Sequence, residues 1–155
     1  MNRGFTLIEL VVTLAILGLL AGMAAPMLGR LQRERKENEL RRDLREIRTA
    51  IDAYKTDTED GRIATSVDAS GYPPSLDVLW KGVPDLSRPD HRMIYFLRRL
   101  PRDPFYPDQG APADQTWGLR SYESGPNAPE PGDDVYDVHS LSPGVGLNGV
   151  PYRDW

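Results

Sequence analysis

The chain has 155 residues, a net charge of -4 and no cysteine. Its length allows one small domain besides an N-terminal segment. The lack of cysteine excludes disulfide bonds, a cysteine nucleophile and zinc held by thiolates. Nearly all of the 14 prolines follow residue 72, and together with the 14 glycines they predict a loop-rich C-terminal half.

The first predicted element is an apolar helix from Phe5 to Leu28. A helix of this length measures roughly 36 Å and exceeds a bilayer's hydrocarbon core of about 30 Å, so it can span a membrane with some tilt. Glu9 is the one charged residue in this range. A carboxylate within a bilayer costs on the order of 3 kcal/mol, which makes Glu9 a candidate functional residue.

An ordinary secretory signal is an alternative interpretation of this segment. Arg3 would form the charged region, the run to Leu20 the apolar region, and residues 21–25 the cleavage region. The very short charged region, the acid inside the apolar run and Pro26 after the last alanine argue against it. This alternative predicts a soluble periplasmic binding module that is released by signal cleavage.

The N-terminal motif is Gly4-Phe5-Thr6-Leu7-Ile8-Glu9-Leu10, which resembles the cleavage and methylation site of type IV prepilins and pseudopilins. The resemblance implies that a prepilin peptidase cuts after Gly4 and that the new amine of Phe5 is methylated. It also implies that Glu9 faces the Phe5 amine of a neighbouring subunit. Such a pair offsets part of the cost of each charge in lipid and sets the register between subunits.

Three weak helix positions, Gly18, Gly22 and Pro26, interrupt the apolar segment. The resemblance implies that the helix loosens between Gly18 and Pro26 inside a filament. Gly and Pro are also common in membrane helices in general, so both interpretations stay open.

The helix is predicted to continue to about Thr58 and to end at or before Gly61. Apolar residues recur there with spacings of 4, 3, 4 and 3, which is typical of one buried helix face. They are Leu40, Leu44, Ile47, Ile51 and Tyr54. Acidic and basic residues are interleaved over residues 30–48 without aromatics, which favours a solvated or subunit-facing surface over a nucleic-acid interface.

The C-terminal half is predicted to consist of loops with short regular elements. A short helix is predicted to begin near Ser75, as its N-cap, and to run through about Trp80, with Leu76, Leu79 and Trp80 buried. A short helix or turn is predicted within residues 91–100. Strands are predicted at about residues 117–122 and 134–141, followed by a loop over residues 142–152.

The segment Leu100-Pro101-Arg102-Asp103-Pro104-Phe105 extends the resemblance. It is similar to the element that leads into the C-terminal sheet of the major pseudopilins of type II secretion. The lack of cysteine favours the same branch, because pilins usually close their C-terminal region with a disulfide. The implied fold is α+β: a long N-terminal helix, with an apolar protruding half, packed on a small C-terminal antiparallel sheet with long loops. The predicted segments are a leader at 1–4, an apolar helix at 5–28 and a periplasmic head at 29–155.

The resemblance also implies a calcium ion in the C-terminal loop of such a head. Calcium prefers six to eight oxygen ligands, several of them carboxylates. Here no acid lies between Leu141 and Arg153, which leaves Asp137, Asn148 and Asp154 as candidates. The alternative is a loop held by backbone hydrogen bonds, glycines and aromatic rings.

A catalytic site is not predicted. His139 lies beside Asp137 and Ser140, but adjacent residues of a strand point to opposite faces and do not form a triad. The chain is therefore expected to be a structural subunit rather than an enzyme.

The resemblance implies a homopolymeric type II secretion pseudopilus that supports protein export. The expected partners are the membrane, prepilin peptidase, minor pseudopilins and inner-membrane assembly proteins, and no nucleic acid. The expected location is the inner membrane with a periplasmic head, although the basic residues of 30–48 would by the positive-inside rule favour the cytoplasm. A type IV pilus subunit for motility or DNA uptake is an alternative.

Overall fold

The computed structural model describes residues 6–66, 68–126 and 128–155, with the side chains of residues 23–26 left aside. The chain divides into two compact units, Met1–Lys36 and Glu37–Trp155. Helix α1 spans Leu7–Glu59 and helix α2 spans Asp77–Lys81. The strands are β1 at Val83–Pro84, β2 at Met93–Ile94, β3 at Trp117–Arg120 and β4 at Asp137–Ser140. Short 3-10 helices lie at Ala113–Thr116 and Tyr152–Asp154. The α+β pilin-like class is confirmed.

The second unit is built on the predicted apolar face of α1. Leu40, Leu44, Ile47, Ile51 and Tyr54 are all at most 7% exposed, which confirms the periodicity argument. Residues from several later parts of the chain pack in the same core. They include Leu76, Leu79, Leu97, Trp117, Val135, Val138 and Tyr152.

The end of α1 is set at Gly61, as the sequence predicts. Gly61 has a φ of 70°, a conformation that glycine adopts without a Cβ penalty. The Gly61 N–H donates to Thr58 O at 3.0 Å, and the Arg62 N–H donates to Asp57 O at 2.9 Å. This pair of bonds is the Schellman motif, which satisfies two carbonyls that the helix leaves unpaired.

The predicted C-terminal strands form an antiparallel pair. β3 and β4 pair in the register Trp117↔Ser140 to Arg120↔Asp137, within the ranges predicted from the sequence. Gly118 lies opposite His139, and a Cβ at Gly118 would come within 2.2 Å of the His139 ring. A side chain at residue 118 would therefore force the imidazole to move, because this ring lies across the neighbouring strand.

The segment between α1 and β3 differs from the sequence prediction. Helix α2 begins after Leu76 with no side-chain cap, so the N-cap assigned to Ser75 is wrong. Leu76 and Leu79 are buried as predicted, but Trp80 is 38% exposed. The strands β1 and β2 form a two-stranded antiparallel sheet that the sequence analysis missed, because each strand has only two residues.

The proline-rich element at residues 100–105 is tied to the sheet by Asp103. This side chain is buried at 3% exposure, and its two oxygens accept hydrogen bonds from the Phe105 N–H at 2.7 Å and the Ser140 hydroxyl at 2.5 Å. The Asp103 N–H donates to the Thr116 hydroxyl. The buried carboxylate thus fixes this element against β4, and the backbone N–H of the same residue joins it to Thr116, the residue that precedes β3.

A second buried carboxylate, Asp85, joins the β1–β2 connection to the end of α1. It accepts hydrogen bonds from the Ser87 hydroxyl at 2.5 Å and from the Arg62 guanidinium at 3.0 Å, and Arg62 also contacts Asp57 at 2.6 Å. The bond from Ser87, followed by that from Arg62, lowers the pKa of Asp85 from 3.8 to about 2. The ionised form is therefore favoured in the folded state.

The depressed pKa of Asp85 predicts a pH-dependent stability. A group whose folded pKa lies below its unfolded pKa stabilises the fold above the unfolded value, near pH 4, and this contribution is lost as the pH falls towards about 2. Asp85→Asn should lower the free energy of unfolding at neutral pH, and its difference from the wild type should shrink towards pH 2. Urea unfolding of the full chain in detergent measures this difference. Asp90→Asn is the matched control, since Asp90 forms an exposed pair with Arg92 in the same connection. A difference from the wild type that does not vary with pH would contradict the prediction.

Candidate functional site

The candidate site is the N-terminal end of α1. The helix begins at Leu7, so Thr6 is its N-cap residue. The Glu9 N–H donates to the Thr6 hydroxyl oxygen at 3.3 Å, and the Thr6 N–H donates to Glu9 Oε2 at 3.5 Å. This reciprocal arrangement is a capping box, which satisfies two N–H groups that have no partner within the helix.

Sequence reasoning missed this local role of Glu9. The signal was present in the spacing Thr6-x-x-Glu9, which is the capping-box pattern. A carboxylate in the first helical turn is also favoured by the helix dipole. Glu9 therefore has a partner within its own chain. The predicted processing residues Gly4 and Phe5 lie outside the described residues.

The helix surface that follows Glu9 is apolar and exposed. Every described side chain over residues 6–22 and 27–36 is exposed. Large apolar side chains from Leu7 to Leu31 are 41–81% exposed. They are Leu7, Ile8, Leu10, Val11, Val12, Leu14, Ile16, Leu17, Leu19, Leu20, Met27, Leu28 and Leu31. At about 1.5–3 kcal/mol for a fully exposed side chain, scaled to the exposed part of each, covering this surface is worth roughly 10–25 kcal/mol.

The described part of α1 contains a span that is long and apolar enough to cross a membrane. The single carboxylate of this span lies in its first turn, where a tilted helix brings it near the bilayer surface. The segment is therefore suited to a membrane and to the apolar interior of an assembly.

Gly18, Gly22 and Pro26 all lie within α1, which extends over Leu7–Glu59 in the isolated chain. A Cβ added at Gly18 or Gly22 would meet no atom within 4 Å. The described contacts of a single chain therefore give no reason for glycine at these positions. The loosening predicted at these three residues concerns a filament and stays a prediction.

The calcium candidates are engaged by protein groups. Asp137 Oδ1 accepts a hydrogen bond from Arg48 Nε at 2.7 Å, and Asn148 Oδ1 accepts one from the Val150 N–H at 3.1 Å. Asp154 lies 3.6 Å from the Arg153 guanidinium. Among the described residues, no group of three or more His, Asp or Glu side chains is arranged to hold a metal ion. These residues do not fit the oxygen-rich shell that calcium requires.

His139 is half-buried on β4, and this burial lowers its pKa below the ordinary value. Ser140 donates its hydroxyl to Asp103, and Asp137 is bonded to Arg48. Ser140 and Asp137 therefore both have other partners, and the three residues do not form a triad.

Comparison with known proteins supports the class that the sequence resembles, the type IV pilins and pseudopilins. The family model described as the prokaryotic N-terminal methylation motif matches residues 1–25. The type II secretion system core protein G of Klebsiella pneumoniae is 32% identical over 140 residues, which cover 86% of this chain and 92% of that protein. The core protein G of Dickeya chrysanthemi is 30% identical over 109 residues, which cover 67% of this chain and 63% of that protein. No solved structure gives a significant match.

A type IV pilin is also similar over a shorter region. The type IV major pilin protein PilA of Myxococcus xanthus is 36% identical over 73 residues, which cover 47% of this chain and 32% of that protein. The fold and the N-terminal segment thus define an assembly subunit with an apolar helix and a small head. The chain belongs to the type IV pilin-like family, in the branch of the major pseudopilins of type II secretion.

The capping box predicts a specific effect of Thr6. Thr6→Ala removes the oxygen that accepts from the Glu9 N–H, and loss of an N-cap typically costs about 1 kcal/mol, so this amide should exchange with solvent roughly fivefold faster. Hydrogen exchange by NMR on the full chain in detergent measures the rate. Thr6→Ser keeps the hydroxyl and is the matched control. Equal exchange rates in the Ala and Ser variants would show that the cap is not formed.

Proposed function

We propose that this chain is the repeating subunit of a type II secretion pseudopilus that supports protein export. A prepilin peptidase cuts it between Gly4 and Phe5, and the new amine of Phe5 is methylated. The observation that carries the proposal is the exposed apolar surface from Leu7 to Leu31, which begins within the methylation motif. A head with this helix is stable in water only when the apolar surface is covered.

Two environments cover this surface in turn. Before assembly the helix lies in the inner membrane, with the head in the periplasm. During assembly the helix moves into the centre of a homopolymer, where helices of other subunits replace the lipid. Both environments are apolar, so the transfer does not expose the surface to water, and side-chain packing between helices supplies the attraction.

Glu9 gives this apolar assembly a defined register. The isolated chain satisfies one Glu9 oxygen with Thr6, through contacts of 3.5 Å that are long for a carboxylate. The ammonium of Phe5, formed by cleavage in a neighbouring subunit, is a stronger partner because it carries a full opposite charge. Leaving either charge unpaired in the filament would be costly, so only the register that joins them is favoured.

The apolar helix is proposed to loosen between Gly18 and Pro26 in the filament. Glycine has a low helix propensity, and Pro26 supplies no N–H for a bond within the helix. The Cβ positions of Gly18 and Gly22 are open in the single chain, so neighbouring helices can approach the backbone closely there. The proposed partners in assembly are minor pseudopilins and inner-membrane proteins of the secretion machine.

A type IV pilus subunit for motility or DNA uptake is the second candidate. The similarity to the PilA protein of Myxococcus xanthus favours it, but this similarity covers 47% of the chain, against 86% for the Klebsiella core protein G. Electron microscopy of the native cells separates the two. Long surface pili that contain this chain would replace the pseudopilus proposal.

Glu9→Ala and Glu9→Gln test the proposed charge pair. Gln can form the capping box but carries no charge, so both variants should stay in the membrane fraction and both should lose filaments by at least roughly tenfold. Crosslinking and electron microscopy of sheared filaments measure assembly. Glu34→Gln, at an exposed acid beyond the apolar segment, is the control and should assemble normally. Normal filaments from Glu9→Gln would mean that Glu9 acts only as a helix cap.

The mass of the N-terminal peptide of the mature protein tests the processing. Protein isolated from its own cells should begin at Phe5 with one added methyl group. A mature protein that begins near Pro26 and is recovered without detergent would mean a soluble periplasmic module. Retention of Met1 would mean an unprocessed membrane anchor, and either outcome would overturn the proposal.

A further inference from the structure

The C-terminal segment, residues 141–155, is bound to α1 by a buried carboxylate. Glu37 is 3% exposed, and its Oε1 accepts hydrogen bonds from the Leu147 N–H at 2.9 Å and from the Tyr152 hydroxyl at 2.9 Å. Both donors belong to the C-terminal segment and lie more than a hundred residues away in sequence. A single helix residue therefore determines the position of two points in this segment.

A guanidinium holds the other end of the segment. Arg48 lies three helical turns after Glu37, so the two side chains leave α1 within about 20° of the same direction. Its Nη2 donates to Trp155 O at 2.7 Å and to Val138 O at 3.1 Å, while its Nε donates to Asp137 Oδ1 at 2.7 Å. Arg48 thus joins the end of the segment to β4.

Aromatic rings of the segment add further contacts to α1 and to the proline-rich element. The Arg41 guanidinium lies 4.2 Å from the centre of a Trp155 ring. The Tyr152 ring stacks on Phe105 at 4.2 Å and meets Trp155 edge-on at 5.0 Å. Within the segment, Gly144 accepts a hydrogen bond from the Tyr152 N–H and Val150 accepts one from the Gly146 N–H.

The C-terminal segment supplies hydrogen-bond donors where a calcium loop would supply oxygen ligands. A calcium loop gathers its own oxygens around a cation. Here residues 142–153 contain no acid, and the segment presents an N–H and an O–H donor to a carboxylate that lies on α1. The candidate oxygens of Asp137 and Asn148 accept protein hydrogen bonds instead.

We infer that the C-terminal segment of this pseudopilin is fixed by Glu37 and Arg48, so that its folding does not depend on calcium. The segment carries four partly exposed apolar side chains at 39–49% exposure, Leu141, Val145, Leu147 and Val150. Their positions depend on the same two helix residues. The head therefore keeps this surface at any calcium concentration.

The first test is thermal unfolding of the full chain in detergent, in calcium or in chelator. A site saturated a hundredfold above its dissociation constant would raise Tm by roughly 10 °C. We expect Tm in about 10 mM calcium, a concentration that saturates even weak extracellular sites, to agree with the chelator value within about 1 °C. Magnesium at equal concentration controls for ionic strength. A rise near 10 °C that is specific to calcium would overturn the inference.

The second test is hydrogen exchange by mass spectrometry on variants of Glu37. Glu37→Ala should increase exchange in peptides from residues 141–155 while peptides from β3 keep their protection, because Leu147 and Tyr152 lose their acceptor. Glu39→Ala is the matched control, since Glu39 is an exposed acid two residues later on α1. Glu37→Gln retains one acceptor oxygen and should give an intermediate effect.

The outcomes distinguish the inference from general destabilisation. If Glu37→Ala does not fold, the Gln variant and the calcium measurement on the wild type still test the inference. Unchanged exchange of the C-terminal peptides in both Glu37 variants would overturn the inference. Restoration of their protection by calcium would also overturn it. Each result is independent of whether the chain functions in secretion.

Discussion

The structure depends on the contrast between two consecutive lengths of α1, one with exposed and one with buried apolar side chains. From Leu7 to Leu31 its large apolar side chains are exposed, and from Leu40 to Tyr54 a narrower apolar face is buried under the head. Burial of apolar surface drives both parts, but only the second finds its partners in the same chain. The first has no such partners in its own chain, which is the physical basis of the proposed membrane storage and polymerisation.

The head has little regular structure beyond α1, and charged side chains compensate for this. Its two sheets have two strands each, and the chain has no cysteine for disulfide bonds. Glu37 and Arg48 on α1 both bind the C-terminal segment. Asp103 joins the element at residues 100–105 to β4, and Asp85 is joined to α1 through Arg62. Leaving a buried carboxylate without its hydrogen-bond donors is costly, so these contacts favour one arrangement of the loops.

Features whose signal repeats along the chain could be predicted from the sequence, and features that a single contact decides could not. The spacing of Leu40, Leu44 and Ile47 predicted a buried helix face, and Gly61 predicted its end. The two-residue strands β1 and β2 are too short for any periodicity to reveal. Ser75 has the chemistry of an N-cap, but the N-cap position is occupied by Leu76, which is buried in the core.

The sequence by itself determined the family, the long helix, its apolar half and the position of Glu9, because these depend on composition and local spacing. Only the tertiary structure decided what holds the C-terminal segment. Glu37 looks like one acid among many on a charged helix, and its partners Leu147 and Tyr152 are 110 and 115 residues away. Hydrogen bonds between such distant residues leave no periodic trace in a sequence, since they depend on how the whole chain packs around the apolar face of α1.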